Sequence, residues 1–244
     1  AGPLQSEMLL EQSFSRSSNS PSPDIMSLQG LRVAWASETN DGRSLNSGKV
    51  KLLVGGDTLV GRRPYAKREI KFKPSHTLFL LTNRKPHAQA DDYALWQRIY
   101  LIQFKLSFID KPKANFERVR DPDLQDKLKE ESSGILAWLV RGCLEWQRQG
   151  LCPPAVIEKA TAEYRSEEDI LGHFIDECCE CELLAEIKHK ELYKAYREWC
   201  EEAGHRQMSS KRFGSQMGER FKKEKRYNVT YVGVRLSNSS PTSF

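Results

Sequence analysis

Leu31-Arg32-Val33-Ala34-Trp35-Ala36-Ser37-Glu38 and Thr77-Leu78-Phe79-Leu80-Leu81-Thr82-Asn83 decide the fold of this chain. The first is an apolar alternation that ends in an acid. The second is a continuous apolar run that ends in an amide. A third run, Trp96-Gln97-Arg98-Ile99-Tyr100-Leu101-Ile102, carries an arginine at its mouth. Short apolar runs closed by a polar group predict strands of an open α/β sheet, which binds ligands at the carboxyl ends of its strands. No phosphate loop of the form G-x-x-x-x-G-K-[ST] occurs in the sequence. Gly48-Lys49 comes nearest, but the spacing from Gly42 is too long and Val50 replaces the hydroxyl that would hold Mg²⁺. It also follows the acidic strand, where a phosphate loop should precede it.

The 244 residues can form one large domain or two small ones. Hydrophobic content of 39% and charged content of 29% place the chain among soluble proteins. The formal charge of +5 permits a polyanionic partner without demanding one. No apolar stretch approaches the ~20 residues that span a bilayer, and there is no secretory signal, so no membrane partner is expected. Of six cysteines, Cys178, Cys179 and Cys181 are crowded together. Their spacing does not match a zinc knuckle, and reduced thiols in a cytosol are expected. The chain opens mid-pattern without Met and reads as a piece of something longer.

Outward from the strands, Glu7 to Gln12 is a helix candidate and Ser13 to Pro23 a loop. Ser44 to Val54 predicts a short helix closed by Gly55-Gly56. Arg62 to Lys73 predicts a hairpin with a basic tip, in which Ile70 and Phe72 alternate with charges. Lys105 to Arg120 reads as a connector. Asp121-Pro122 predicts a helix start. Ile135 to Trp146 is apolar on most sides and predicts a buried helix. Pro153-Pro154 opens another helix, with Val156, Ile157, Ala160 and Tyr164 at helical spacing. The last stretch predicts three amphipathic helices. Their inner faces are Ile170, Leu171, Phe174, Ile175 and Cys178; Leu192, Tyr193, Tyr196, Trp199 and Cys200; and Phe213, Met217 and Phe221. Gly204 stops the second helix, Ser209 or Ser210 caps the third, and a strand follows over Asn228 to Leu236. Three helices and then a strand or hairpin is the winged-helix order. In that fold the third helix reads a DNA groove. Here that helix and its flank carry Arg206, Lys211, Arg212, Arg220, Lys222, Lys223, Lys225 and Arg226.

The chain resembles the superfamily 3 helicase domain of phage and plasmid primase-helicases, of the satellite-phage and poxvirus primase-helicase type. The matching blocks are Val33–Glu38, Gly55–Arg62, Phe79–Pro86, Trp96–Ile99 and, near the end, Leu192–Cys200. The resemblance implies an α/β fold in four parts. Residues 1–108 would be an incomplete AAA+-like sheet domain (P-loop NTPase, superfamily 3), 109–165 a helical segment, 166–236 a winged-helix DNA-binding domain and 237–244 a polar tail. It further implies ATP and Mg²⁺ as cofactors in a parent protein, a homo-hexameric ring, and unwinding of single-stranded or duplex origin DNA during replication in a bacterial host cytoplasm.

By the same resemblance, Glu38 is the acid beside Mg²⁺ and the attacking water. The family shows two neighbouring acids, whereas here Thr39 follows and the next acid is Asp41, so their division of labour stays open. Asn83 is the sensor amide, and with Glu38 and Asp41 forms the nucleotide-contacting set. Arg98 is the arginine finger acting in trans, with Arg84 as its competitor. Lys51, Arg62, Arg63, Tyr65, Lys67 and Arg68 belong to the DNA-gripping region, where Lys67 and Arg68 touch phosphates and Tyr65 stacks on a base. Lys211, Arg212, Arg220 and Lys222 contact DNA from the terminal domain. Lacking the phosphate loop, the chain by itself is not expected to hydrolyse ATP. The rival readings are a non-enzymatic DNA-binding remnant and a winged-helix regulator.

Overall fold

A computed structural model describes residues 1–12, 20–37, 42–225 and 228–237. They divide into two units, Ala1–Arg98 with Arg165–Phe244, and Ile99–Tyr164. Among the described residues no helix is long and apolar enough to cross a membrane.

The first unit opens with β1 (Gly2–Pro3) and a single 3-10 turn at Ser6–Met8, shorter than the helix expected over Glu7 to Gln12. Then come α1 (Pro23–Ser27), β2 (Val33–Ser37), α2 (Ser47–Val54), β3 (Leu59–Gly61), β4 (Ile70–Phe72), β5 (Thr77–Leu81) and α3 (Tyr93–Trp96). β2 lies between β1 and β5 in an all-parallel sheet. The register pairs Val33 with Thr77 and Ser37 with Leu81, so both strands end at one edge. Parallel neighbours need a long crossover, and α2 with the hairpin β3–β4 fills it. Ala34 and Ala36 are fully buried on one face of β2. Val33 and Trp35 alternate with them and are exposed, as are Phe79 and Leu81 of β5. Asn46 caps α2 by accepting from the Lys49 N–H at 2.9 Å.

The second unit departs most from expectation. Ile99 to Ile102 forms no strand. An apolar run becomes a strand only where a sheet edge receives its backbone groups; here the Leu101 N–H instead finds the Thr161 hydroxyl at 2.9 Å. The connector contains a parallel pair, β6 (Ser107–Ile109) and β7 (Glu117–Val119). α4 (Leu124–Glu130) begins after a turn over Asp121-Pro122, with Asp123 at the cap position, not Asp121. α5 (Ser132–Gln149) is helical as expected but not buried: Leu136, Trp138 and Trp146 are each more than half exposed. Periodicity reports the composition of a helix, while burial needs a second surface, and no described element covers this one. α6 (Ala155–Glu167) buries Ala160 and Tyr164, while Val156, expected on the same face, is exposed.

Residues 165–237 carry their own core. After α7 (Ile170–Cys178) come β8 (Cys179–Glu180), β9 (Glu186–Lys188), α8 (His189–Glu202), α9 (Ser210–Arg220), β10 (Lys222–Lys225), β11 (Val229–Val232) and β12 (Arg235–Leu236). β10, β11 and β9 form an antiparallel sheet in that order, and β12 pairs with β8. Leu171, Phe174, Leu192, Tyr196, Phe213, Met217, Tyr231 and Val234 fill the space between helices and sheet. Tyr196 meets Phe174 edge-on with centroids at 5.4 Å and Phe213 at 4.9 Å. The helix boundaries follow the expected signals. Gly204, at φ 69°, closes α8 while the His205 N–H reaches back to Cys200 O at 2.8 Å. Ser209, not Ser210, caps α9. The expected strand over 228–236 is broken at Gly233, whose φ of 97° turns the chain so that its N–H meets Ala185 O at 2.8 Å. The basic flank Lys222–Lys225 is itself a strand.

Two substitutions separate the packed helices from the bare one. Phe213→Ala removes a fully buried ring and should cost about 3–5 kcal/mol. Leu136→Ser on α5 should change stability by less than about 0.5 kcal/mol. Urea unfolding of the full chain, followed by circular dichroism, measures both. A large loss from Leu136→Ser would mean that α5 is covered after all.

Candidate nucleic-acid interface

Four regions carry the expected functional residues. The first is the carboxyl edge of the parallel sheet. Because Ser37 and Leu81 are paired, Asn83 stands two residues beyond the edge at which β2 also ends. Asn83 is exposed in a bend shaped by Thr82, whose hydroxyl donates to Arg84 O at 2.5 Å. Glu38 and Asp41 lie outside the described residues.

The second region is the loop that follows Asn83. Lys85 pairs with Glu167. The Glu168 carboxylate accepts from the Ala88 N–H at 2.9 Å and meets His87 Nδ1 at 3.3 Å. Arg165 Nε donates to Ala90 O at 2.9 Å. Asp91 accepts from Arg212 Nη2 at 3.3 Å and from Gln216 Nε2 at 2.6 Å. Asp92 accepts from the Ser47 hydroxyl, from Lys51 Nζ at 2.9 Å and from the Leu95 N–H at 3.0 Å. Burial alone would raise the Asp92 carboxyl, but Ser47, Lys51 and the Leu95 N–H together hold it below the ordinary carboxylate range. Lys51 is therefore engaged in tying α2 to α3. Arg98 follows α3 rather than opening a strand. It is exposed, and its Nη1 donates to Ala94 O at 2.6 Å, which satisfies a carbonyl at the end of that helix.

The third region is the hairpin tip between β3 and β4. Leu59 pairs with Phe72 and Gly61 with Ile70, so residues 62–69 form the projecting turn. Arg63, Tyr65, Lys67 and Arg68 are exposed there. Arg62 is half-buried and donates to Ala66 O at 3.3 Å. Tyr65 has φ 63°, a conformation that costs a bulky side chain energy, and its ring is wholly in solvent.

The fourth region is α9. Its N-terminus is fixed by His189, whose Nδ1 meets Tyr231 Oη and whose Nε2 meets Ser210 Oγ, both at 2.8 Å. Burial, with Lys223 nearby, lowers the ionisation of His189, so the neutral ring ties α8, α9 and β11 together. Lys211 is exposed. Arg212 is paired with Asp91, Arg220 with Asp169 at 2.6 Å and Lys222 with Glu224 at 3.0 Å. Burial pushes the Cys179 thiol up to about 12, which keeps it neutral, and no group of three or more metal-ligating side chains occurs among the described residues. Of the three clustered cysteines, Cys178 and Cys179 are half-buried and Cys181 is exposed, while Cys200 is buried in the terminal core. Sequence reasoning passed over Asp91, Asp92, Glu168 and Gln216. Asp92 alone carried a local signal, since an Asp three residues before Leu95 is a helix cap.

Comparisons with known proteins bear on this arrangement. Residues 166–237 match the family model described as poxvirus D5 protein-like. Over 209 residues the chain is 30% identical to "Putative helicase L207/L206" of Acanthamoeba polyphaga mimivirus, covering 81% of this chain and 22% of that protein. Over 193 residues it is 26% identical to "Putative helicase 022R" of Frog virus 3 (isolate Goorha), covering 75% of this chain and 20% of that one. The chain belongs to the superfamily 3 primase-helicase family. It spans about a fifth of the length of these two relatives. Both are viral proteins, and the expectation of a phage or plasmid source in a bacterial host finds no support in them.

The environment of His189 predicts that the terminal domain loses stability in acid. The ionisation of His189 is depressed in the folded state, so its contribution is complete above the ordinary value of 6.5 and is lost as pH falls through the folded value. Thermal melts of the full chain should therefore show stability declining below pH 6.5, and His189→Asn should flatten that decline. A variant with the wild-type pH profile would assign the acid sensitivity to other groups.

Proposed function

We propose that this chain is the motor's trailing part in a DNA helicase: a piece of an AAA+-like sheet, a DNA-gripping hairpin and a winged-helix domain. The observation that carries the reading is the hairpin tip. Four Lys or Arg of the turn (Arg62, Arg63, Lys67, Arg68), followed by Lys71 on β4 and Lys73 just beyond it, stand against one acid, Glu69, beside a fully exposed Tyr65 ring. Cations that meet phosphates, beside an aromatic ring that stacks on any base, are the combination that holds single-stranded nucleic acid without sequence preference. The element order α7, β9, α8, α9, β10, β11, with a three-stranded antiparallel sheet, supports a winged helix over 166–236. A division into 1–108, 109–165, 166–236 and a tail over 237–244 follows from the same reading.

The parallel register supports a nucleotide site at the sheet edge in the parent protein. Asn83 is placed to hydrogen-bond a terminal phosphate or the attacking water, because an amide donates and accepts without changing charge. Glu38 directly follows β2 in sequence and would stand beside Mg²⁺, and Asp41, three residues further on, is the second candidate acid. Arg98 is exposed and can serve a neighbouring subunit of a hexameric ring, where a guanidinium neutralises charge developing in phosphoryl transfer. The phosphate loop is not in this sequence. The chain alone should consequently show no ATP turnover with or without single-stranded DNA, and robust turnover that disappears in Glu38→Gln would refute this.

DNA contact is tested by salt titration of fluorescently labelled single-stranded DNA. If the tip neutralises phosphates, log K falls linearly with log salt concentration, at about 0.7 per contact. Lys67→Ala with Arg68→Ala should flatten the slope by about 1.4 and weaken binding several-fold. Tyr65→Ala should weaken binding by about 1–3 kcal/mol without changing the slope. Unchanged affinity and slope in all three would make the tip a solvated turn.

A further inference from the structure

α9 carries Arg212, Gln216 and Arg220 at four-residue intervals, so the three lie along one face of the helix. Each already holds a carboxylate. Arg220 meets Asp169, the residue that also caps α7 by accepting from the Gly172 N–H at 3.0 Å. Arg212 and Gln216 converge on Asp91, one on each carboxylate oxygen, at 3.3 and 2.6 Å. Gln216 is 8% exposed, so its amide is fixed in place before any ligand arrives. The other side of α9 is open. Lys211, Ser215 and Gly218 are exposed along it, and the two small residues let a polyanion approach the helix closely.

A guanidinium and an amide N–H₂ converging on two oxygens of one anion form a fork that suits a phosphate as well as a carboxylate. We propose that Arg212 and Gln216 form a phosphate subsite of the terminal domain and that Asp91 occupies it as an intramolecular competitor. This rests on the reading of the terminal domain as a DNA binder. A DNA phosphate entering the subsite displaces Asp91, and α9 then gains a contact at the edge of its open face. Asp91 belongs to the loop that begins at Asn83, so release of the subsite also frees one of the attachments of that loop. Binding of DNA by α9 and seating of the Asn83 loop therefore oppose one another, by the same free energy in each direction.

The test uses the full chain and a short fluorescein-labelled duplex, with anisotropy recorded across a salt series. Asp91→Asn keeps the shape of the side chain and removes its charge. It should tighten duplex binding about three- to fivefold and steepen the salt slope by about 0.9, the value for one added phosphate contact. Arg212→Ala in the wild-type background should change affinity less than about twofold, because its partner is internal, while in the Asp91→Asn background it should erase the gain. That non-additivity is the signature of competition. Asp91→Glu should restore wild-type behaviour, and circular dichroism melts check that every variant is folded. If Asp91→Asn is folded and binds duplex with wild-type affinity and slope, Asp91 is no competitor, and the DNA reading stands without it. If neither wild type nor Asp91→Asn binds duplex in a salt-dependent way, both the subsite and the DNA reading of α9 fall, leaving a contact that serves only to join protein to protein.

Discussion

Two adjacent carboxylates, Asp91 and Asp92, hold the first unit together. Asp92 binds the ammonium of Lys51 and the hydroxyl of Ser47 on α2 and caps α3 through the Leu95 N–H. Asp91 binds α9 through Arg212 and Gln216. A chain that leaves a parallel sheet must satisfy its backbone and side chains somewhere, and here the loop after β5 does so by recruiting charge from α2, α6 and α9. Glu168 at the end of α6 adds the Ala88 N–H and His87 to the same loop. The polar connections gather within residues 85–92, just beyond Asn83, so the candidate sensor and the terminal domain share one short stretch of backbone.

The terminal domain is organised differently. Its cohesion is apolar and aromatic, with Tyr196 at the centre of contacts to Phe174, Trp199, Tyr193 and Phe213. One polar link, His189 between Tyr231 and Ser210, sets where α9 begins. Burying a neutral imidazole with both nitrogens satisfied costs little, whereas a protonated one would be left facing Lys223 in a partly desolvated place. The domain thus combines an apolar, aromatic core with one linkage whose hydrogen bonds suit a neutral imidazole.

Local chemistry was legible in the sequence wherever a short signal suffices. Gly204 and Ser209 mark helix boundaries because a cap is decided within one turn of chain, whereas α2 begins after Asn46 and not at Ser44. The alternation at Val33–Ser37 and the apolar run at Thr77–Leu81 gave the parallel strands, and the hairpin followed from Ile70 and Phe72. The failures share one cause, which is that a partner is needed and the sequence does not name it. Ile99–Ile102 resembles Thr77–Leu81 in composition but has no sheet edge to join. Ile135–Trp146 resembles a buried helix but lacks a cover. Among the candidate site residues, Arg212, Arg220 and Lys51 were read as cations available to DNA, and each has an acid beside it that lies far away in sequence or outside the local pattern. Exposed cations at the hairpin tip were readable because charge density in a turn is itself local.

The parallel sheet has a further consequence. Parallel sheets are normally covered on both faces. Here Ala34 and Ala36 are buried on one side of β2, while Val33, Trp35, Phe79 and Leu81 meet solvent in register on the other. Apolar surface of that kind gains free energy whenever two molecules meet, in proportion to the area removed from water. Any surface that covers this face would couple the folded state to the concentration of that partner, and a melting temperature or hydrodynamic radius would then depend on it.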